Sequence, residues 1–289
     1  MTTQLCYTSL ESALAVYRST NRSPDCRDRA FREIFVKTYL GHWTFTEKTG
    51  LNFVQACLRG EDAAEASHLK ILPFAAGHKK SQSVWTAPVL SSLLERGEKM
   101  VYGYEDYTEF FDDRIGSQET FDRTRTRILG VAKNMIRKMP PKLLMSEIGN
   151  QLLRISRLAK RWDIGNGQFE DSNWTITDKA LAAFGARASN QVVLPLIKSC
   201  MSDVVWDSPY SDDRLRNFRA AKALCSRARV NSEIVPQSSI NKLNALAKNR
   251  RGNQVLVNEA KELLQIIKER NLRVRPKNKR RVSAPGKHR

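Results

Sequence analysis

The sequence predicts a mainly α protein, two-lobed or built as a single large helical domain, with a few short β-hairpins and a disordered basic C-terminal arm. Three observations predict it. Apolar residues recur at helical spacing through most of the chain, the runs with strand character are few and four residues long, and residues 273–289 carry eight Lys/Arg, no acid and no apolar period. With 289 residues, 41% hydrophobic and 27% charged, the chain has ordinary globular composition and enough length for a sizeable core. The pattern divides it into an N-terminal arm or helix (1–29), an N-terminal helical lobe (30–162), a C-terminal helical lobe (163–270) and the basic tail (271–289).

Element by element, Leu10, Ala13, Leu14 and Tyr17 give a first short helix, and Phe31, Ile34, Phe35 and Tyr39 give the buried side of a second. The turn-rich stretch Thr20 to Pro24 separates them. The clearest signal is central: Ile128, Val131, Ala132, Met135, Ile136 and Met139 follow one helical face until Pro140-Pro141 stops it. A partner helix is predicted from Leu143 to Trp162, with Leu144, Ile148, Leu152, Ile155, Ala159 and Trp162 inward and Arg154, Arg157 and Arg161 on another ridge. Asp212 and Asp213 mark a helix start that Leu215, Phe218, Ala221, Cys225 and Ala228 continue, and Val255 to Glu269 buries Leu256, Ala260, Leu263, Leu264 and Ile267. Strands are predicted at Trp43–Thr46, Val101–Tyr104, Trp174–Thr177 and Gln191–Leu194.

Charge is the unusual feature. The chain has 49 Lys+Arg against 30 Asp+Glu, a net +19. Up to Arg214 the count is 29 basic against 26 acidic residues, and after it 20 against 4. Residues 95–122 hold nine acids and three bases, whereas residues 123–161 hold eleven Lys/Arg and only Glu147. Cations gathered in this way attract polyanions, because phosphate binding needs many charges within a Debye length of about 8–10 Å.

The predicted partner is nucleic acid, RNA ahead of DNA, bound through its phosphate backbone with little sequence preference by several copies of the chain. The candidate contacts are Arg123, Arg125, Arg127, Lys133, Arg137, Lys138 and Lys142 around the first central helix, and Arg154, Arg157, Lys160 and Arg161 on the second. Downstream they are Arg216, Arg219, Lys222, Arg227 and Arg229, the loop residues Arg250 and Arg251, and Arg273, Arg275, Lys277, Lys279, Arg280 and Arg281 in the tail. Trp162, Phe169, Trp174, Trp206, Tyr210 and Phe218 are candidates to stack on unpaired bases, with burial in the core the commoner fate of such rings.

A nucleoprotein or capsid-type RNA coat is the function this pattern favours, with a winged-helix DNA-binding protein as the alternative. The alternative rests on an echo, W-T-[FI]-T-[ED]-K, at Trp43–Lys48 and Trp174–Lys179, with Gly165-Asn166-Gly167 as a wing tip and Gly149 to Trp162 as recognition helix. A third class, a metal-dependent nuclease, would use the carboxylates of residues 105–122. No phosphate-loop, dinucleotide or nucleophile-elbow motif occurs, so no catalytic residue and no cofactor is expected. His42, His68, His78 and His288 lack metal-ligand spacing, and no metal is expected. Five scattered cysteines and a start without an apolar core segment predict an intracellular protein of cytoplasm, nucleus or virion, and no run of about 18 apolar residues spans a membrane.

Overall fold

The chain folds from helix ends that its own hydroxyl side chains fix. The computed structural model describes residues 7–59, 63–78, 85–106, 118–158, 172–202, 205–206, 211–227, 235, 237–249 and 253–272. Helix α1 (Leu10–Arg18) starts at Ser9, whose hydroxyl accepts from the Ser12 backbone N–H while Ser12 returns the bond. Helix α2 (Pro24–Tyr39) begins on Ser23 with proline in its first turn. It ends at Gly41, whose φ of 73° turns the chain so that the N–H groups of His42 and Trp43 both donate to the Lys37 carbonyl. Thr46 and Thr49 form the capping box of α3 (Glu47–Cys57).

The short α4 (Ala63–Ala66), a 3-10 turn (Ser67–Lys70) and α5 (Ile71–Gly77) lead to two long helices, α6 (Thr86–Asp106) and α7 (Gln118–Lys138). A turn over Pro141–Leu143 precedes α8 (Ser146–Leu158). There follow α9 (Ser172–Arg187), α10 (Asn190–Cys200), α11 (Ser211–Arg227), α12 (Gln237–Ala247) and α13 (Gln254–Leu272).

Helix α7 is the hinge point of the packing. It lies against α4, α5 and α6 and also against α9, which packs on α11; α11 in turn packs on α13. Every residue of its predicted stripe, from Ile128 to Met139, is buried. So are Leu144, Ile148, Leu152 and Ile155 beside α8, and Leu256, Ala260, Leu263, Leu264 and Ile267 on α13. One continuous buried cluster therefore runs from Leu10 to Ile267. Helices α9 and α11 approach so closely that a Cβ on Gly185 would collide with the Leu224 backbone carbonyl.

The mainly α class stands, and the β-hairpins do not: no strand occurs among the described residues. Trp43–Thr46 is the non-helical entry to α3, because Thr46 serves as its N-cap. Val101–Tyr104 continues α6, Trp174–Thr177 lies in α9, and Gln191–Leu194 lies in α10. Four residues of strand propensity do not outweigh the burial that a flanking helical stripe gains by continuing through them. The strand that would close a wing after Gly165-Asn166-Gly167 is thus part of a helix, and that glycine turn lies outside the described residues.

A second correction concerns α2. Its buried side is Ala30, Glu33, Ile34 and Thr38, with Phe31 half-buried, whereas Phe35 and Tyr39 are 39% and 50% exposed. Four apolar residues at 31, 34, 35 and 39 span more arc than the groove against α1 and α5 covers. No described helix is long and apolar enough to cross a membrane.

Candidate functional site

The fold sorts the cations into two groups, those consumed by internal contacts and those left in each other's company. Arg154 on α8 grips Glu98 of α6 through both ends of its guanidinium, Nε to Oε1 at 2.9 Å and Nη2 to Oε2 at 3.3 Å. The acidic stretch thus meets the basic one at this point. Arg157, on the same predicted ridge, turns inward and donates to Asn217 Oδ1 at 3.0 Å and Ser199 Oγ at 3.1 Å. Its carbonyl accepts from Arg216, itself 8% exposed.

On α11, Arg219 donates to Glu259 at 2.9 Å, and Lys222 donates to Glu259 at 2.5 Å and to Glu262 at 2.8 Å. Burial pulls the Lys222 ammonium down, but the bonds to Glu259 and Glu262 outweigh it and its pKa is raised. Asp178 lies within reach of the same network. Burial pushes its carboxyl up to about 6, against the pull of Arg219 and Lys222 and helped by Glu259. Arg123, Arg125 and Arg127, at the start of α7, hold contacts within the chain.

The second group surrounds the C-terminal half of α7. Burial, then the charges of Arg137 and Lys179, holds Lys133 below the ordinary lysine range. Lys133 and Arg137 stand one turn apart on α7, and Lys179 faces them from α9, which packs on α7. Arg137, Lys138, Lys142 and Lys179 are exposed. Among the described residues, none of these five cations has a carboxylate partner. Arg187 adds its guanidinium at the same end, donating to the Met139 carbonyl at 2.7 Å. A shallow cleft lined by Lys142, Met145, Arg187 and Val192 opens beside it.

The helix dipole favours Arg137 and Lys138 in the last turn of α7. It does not account for Lys133 a turn earlier or for Lys179 on another helix. Cations gathered without a counter-charge raise the potential at one another, and an anion placed among them would gain from each. Lys160, Arg161, Arg229, Arg250, Arg251, Arg273, Arg275, Lys277, Lys279, Arg280 and Arg281 lie outside the described residues, and Arg227 is the last residue of α11.

Of the predicted stacking rings, Phe218 is fully buried and Trp206 is half-buried against it, with ring centroids 5.1 Å apart. The side chains of Trp162, Phe169, Trp174 and Tyr210 fall outside the description. Among the described residues no group of three or more His, Cys, Asp or Glu is placed to hold a metal ion.

Sequence patterns missed Lys179 and Arg187, which only the α7–α9 packing brings to the site. The one available hint was the terminal lysine of the second W-T-I-T-D-K. They also missed the exposed rings of Phe35, Tyr39 and Phe74.

No protein-family model and no curated protein matches the chain. A crystal structure described as an engineered protein is similar at 14% identity and a TM-score of 0.30, over 90% of this chain and 97% of that one. A likeness at that level bears on neither fold nor function.

Proposed function

We propose that this chain is a non-enzymatic nucleic-acid-binding protein that holds phosphate groups on Lys133, Arg137 and Lys179. It acts as a coat for RNA in an intracellular or virion setting, with several copies on one strand. The observation that carries the proposal is the three-cation cluster across α7 and α9, in which no carboxylate partners Lys133, Arg137 or Lys179 among the described residues and burial, then the charges of Arg137 and Lys179, disfavour the Lys133 ammonium. A phosphate between them removes that repulsion and releases condensed counterions. Lys138 and Lys142 add exposed charge near the cluster, and the sequence from Arg273 to Arg289 supplies eight further Lys/Arg. The coat is favoured over a winged-helix regulator because Trp174–Thr177 belongs to a helix.

The test is to purify the full chain at low ionic strength and treat the associated polynucleotide with RNase or DNase. RNase-sensitive material that is lost from the Lys133→Gln/Arg137→Gln/Lys179→Gln variant supports the proposal. Protein free of polynucleotide at low salt, or equal loading of the folded variant, overturns it. DNase sensitivity alone would overturn the assignment to RNA.

A further inference from the structure

Beyond the phosphate cluster, α2 and α5 present a set of rings that the core does not use. Phe35, Tyr39 and Phe74 are 39%, 50% and 50% exposed. Phe35 and Tyr39 stand almost parallel, 7° apart in plane with centroids 6.0 Å apart, and Phe74 meets Tyr39 edge-on at 5.6 Å. Apolar surface continues through Val36 and Leu40, 41% and 58% exposed. Burying these residues would be worth far more than leaving them wet, so their exposure as one contiguous patch calls for an occupant.

The patch is backed by further contacts. Beneath it, Phe31 stacks on His68 with centroids 3.6 Å apart. His78 bonds the Tyr39 carbonyl through Nε2 at 2.7 Å. Its ring also closes over Gly41, where an added Cβ would lie 3.3 Å from Nδ1. A preset platform loses little entropy when something lies on it.

What adjoins the rings decides the occupant. The Lys138 stem lies 3.5 Å from where a Cβ of Gly77 would stand, and Gly77 follows Phe74 by one helical turn. Lys138 is next to Arg137 in the chain and five residues beyond Lys133. Lys138, one of the cations without a carboxylate partner among the described residues, thus lies about one helical turn along α5 from Phe74. A ligand offering flat apolar faces on an anionic backbone fits both, and an unpaired nucleotide strand is such a ligand. A duplex hides those faces in its own stack.

We propose that Phe35, Tyr39 and Phe74 form a base-stacking platform for a single-stranded nucleic acid whose phosphates continue onto Lys138, Arg137 and Lys133. The platform rests on the nucleic-acid-binding function proposed above and specifies its substrate as unpaired.

The test compares three probes on the full chain by fluorescence anisotropy: an oligouridine 12-mer, an abasic strand of the same backbone and length, and an RNA duplex. The wild type is expected to prefer the base-bearing strand over the abasic one by about tenfold or more, the scale of one or two stacked bases. It should also prefer that strand to the duplex. Phe35→Ser/Tyr39→Ser/Phe74→Ser should bring the oligouridine affinity down to that of the abasic strand, while Tyr39→Phe, which keeps the ring, retains the preference. Thermal unfolding checks that each variant is folded.

A folded triple-serine protein with the wild-type preference overturns the platform. So does a wild type that binds both strands equally, or triple-serine substitutions that change only the sedimentation mass, which would assign the patch to protein contact. If the wild type binds no probe at low salt, the proposed function falls with it.

Discussion

Replacing Glu259 by glutamine removes the charge that two cations of α11 share, while keeping the side chain's size. Glu259 is 12% exposed at its side chain, Arg219 28% and Lys222 26%, so the pair energies lie between the surface and interior limits. An exposed pair contributes about 0–1 kcal/mol and the breaking of a buried one costs about 3–5 kcal/mol. Half-burial and the surviving Glu262 partner of Lys222 place the loss at about 2 kcal/mol. For a chain of this length that lowers Tm by about 4 °C. Thermal unfolding followed by circular dichroism measures it, with Glu262→Gln as the control. The control removes a partner whose side chain is 59% exposed, so it should cost less than about 1 kcal/mol. A Glu259→Gln protein that melts within 1 °C of the wild type would refute the assignment of Arg219 and Lys222 to the fold.

Two further outcomes follow from the α9 region. The Asp178 carboxyl, pushed up to about 6 by burial, keeps a proton in the folded state that the unfolded chain has released by that pH. Its contribution favours folding near pH 4 and is lost as pH rises through about 6, so Asp178→Asn should raise stability at pH 7 by roughly 2 kcal/mol. Urea titrations at pH 4 and pH 7 should then show a smaller wild-type-to-variant gap at the lower pH; equal gaps contradict the direction. Gly185→Ala sets a helix-propensity gain of about 1 kcal/mol against overpacking of about 1–3 kcal/mol. Because the obstacle is the Leu224 backbone carbonyl and not a flexible side-chain end, overpacking should win and Tm should fall. A rise in Tm would show that α9 and α11 separate freely.

Helices whose burial follows one unbroken stripe were legible from the chain, because the period of 3.6 depends on neighbours in sequence. The stripe from Ile128 to Met139 and that from Leu256 to Ile267 are both buried along their full length. The pairing of cations was not legible, since their partners are distant: Glu98 and Arg154 are 56 residues apart, Arg157 and Asn217 are 60, and Arg219 and Glu259 are 40. Charge density alone ranked Arg154 and Arg157 as highly as Lys133 and Arg137, and only packing separates them. The same limit hid the ring patch. Phe35 and Tyr39 satisfy a helical period with Phe31, yet the groove that receives α2 takes Ala30, Ile34 and Thr38 instead.

The salt dependence of single-strand binding tests the central claim most directly. Affinity for an oligouridine 20-mer, measured from 50 to 400 mM NaCl, should give a straight plot of log K against log salt. Converting Lys133, Arg137 and Lys179 to glutamine should reduce its slope by about 2, at roughly 0.7 per phosphate on a single strand. Arg154→Gln, which breaks the ion pair to Glu98, should leave the slope unchanged. Equal slopes for the wild type and the folded three-cation variant, or a loss confined to Arg154→Gln, would contradict a phosphate site at the end of α7.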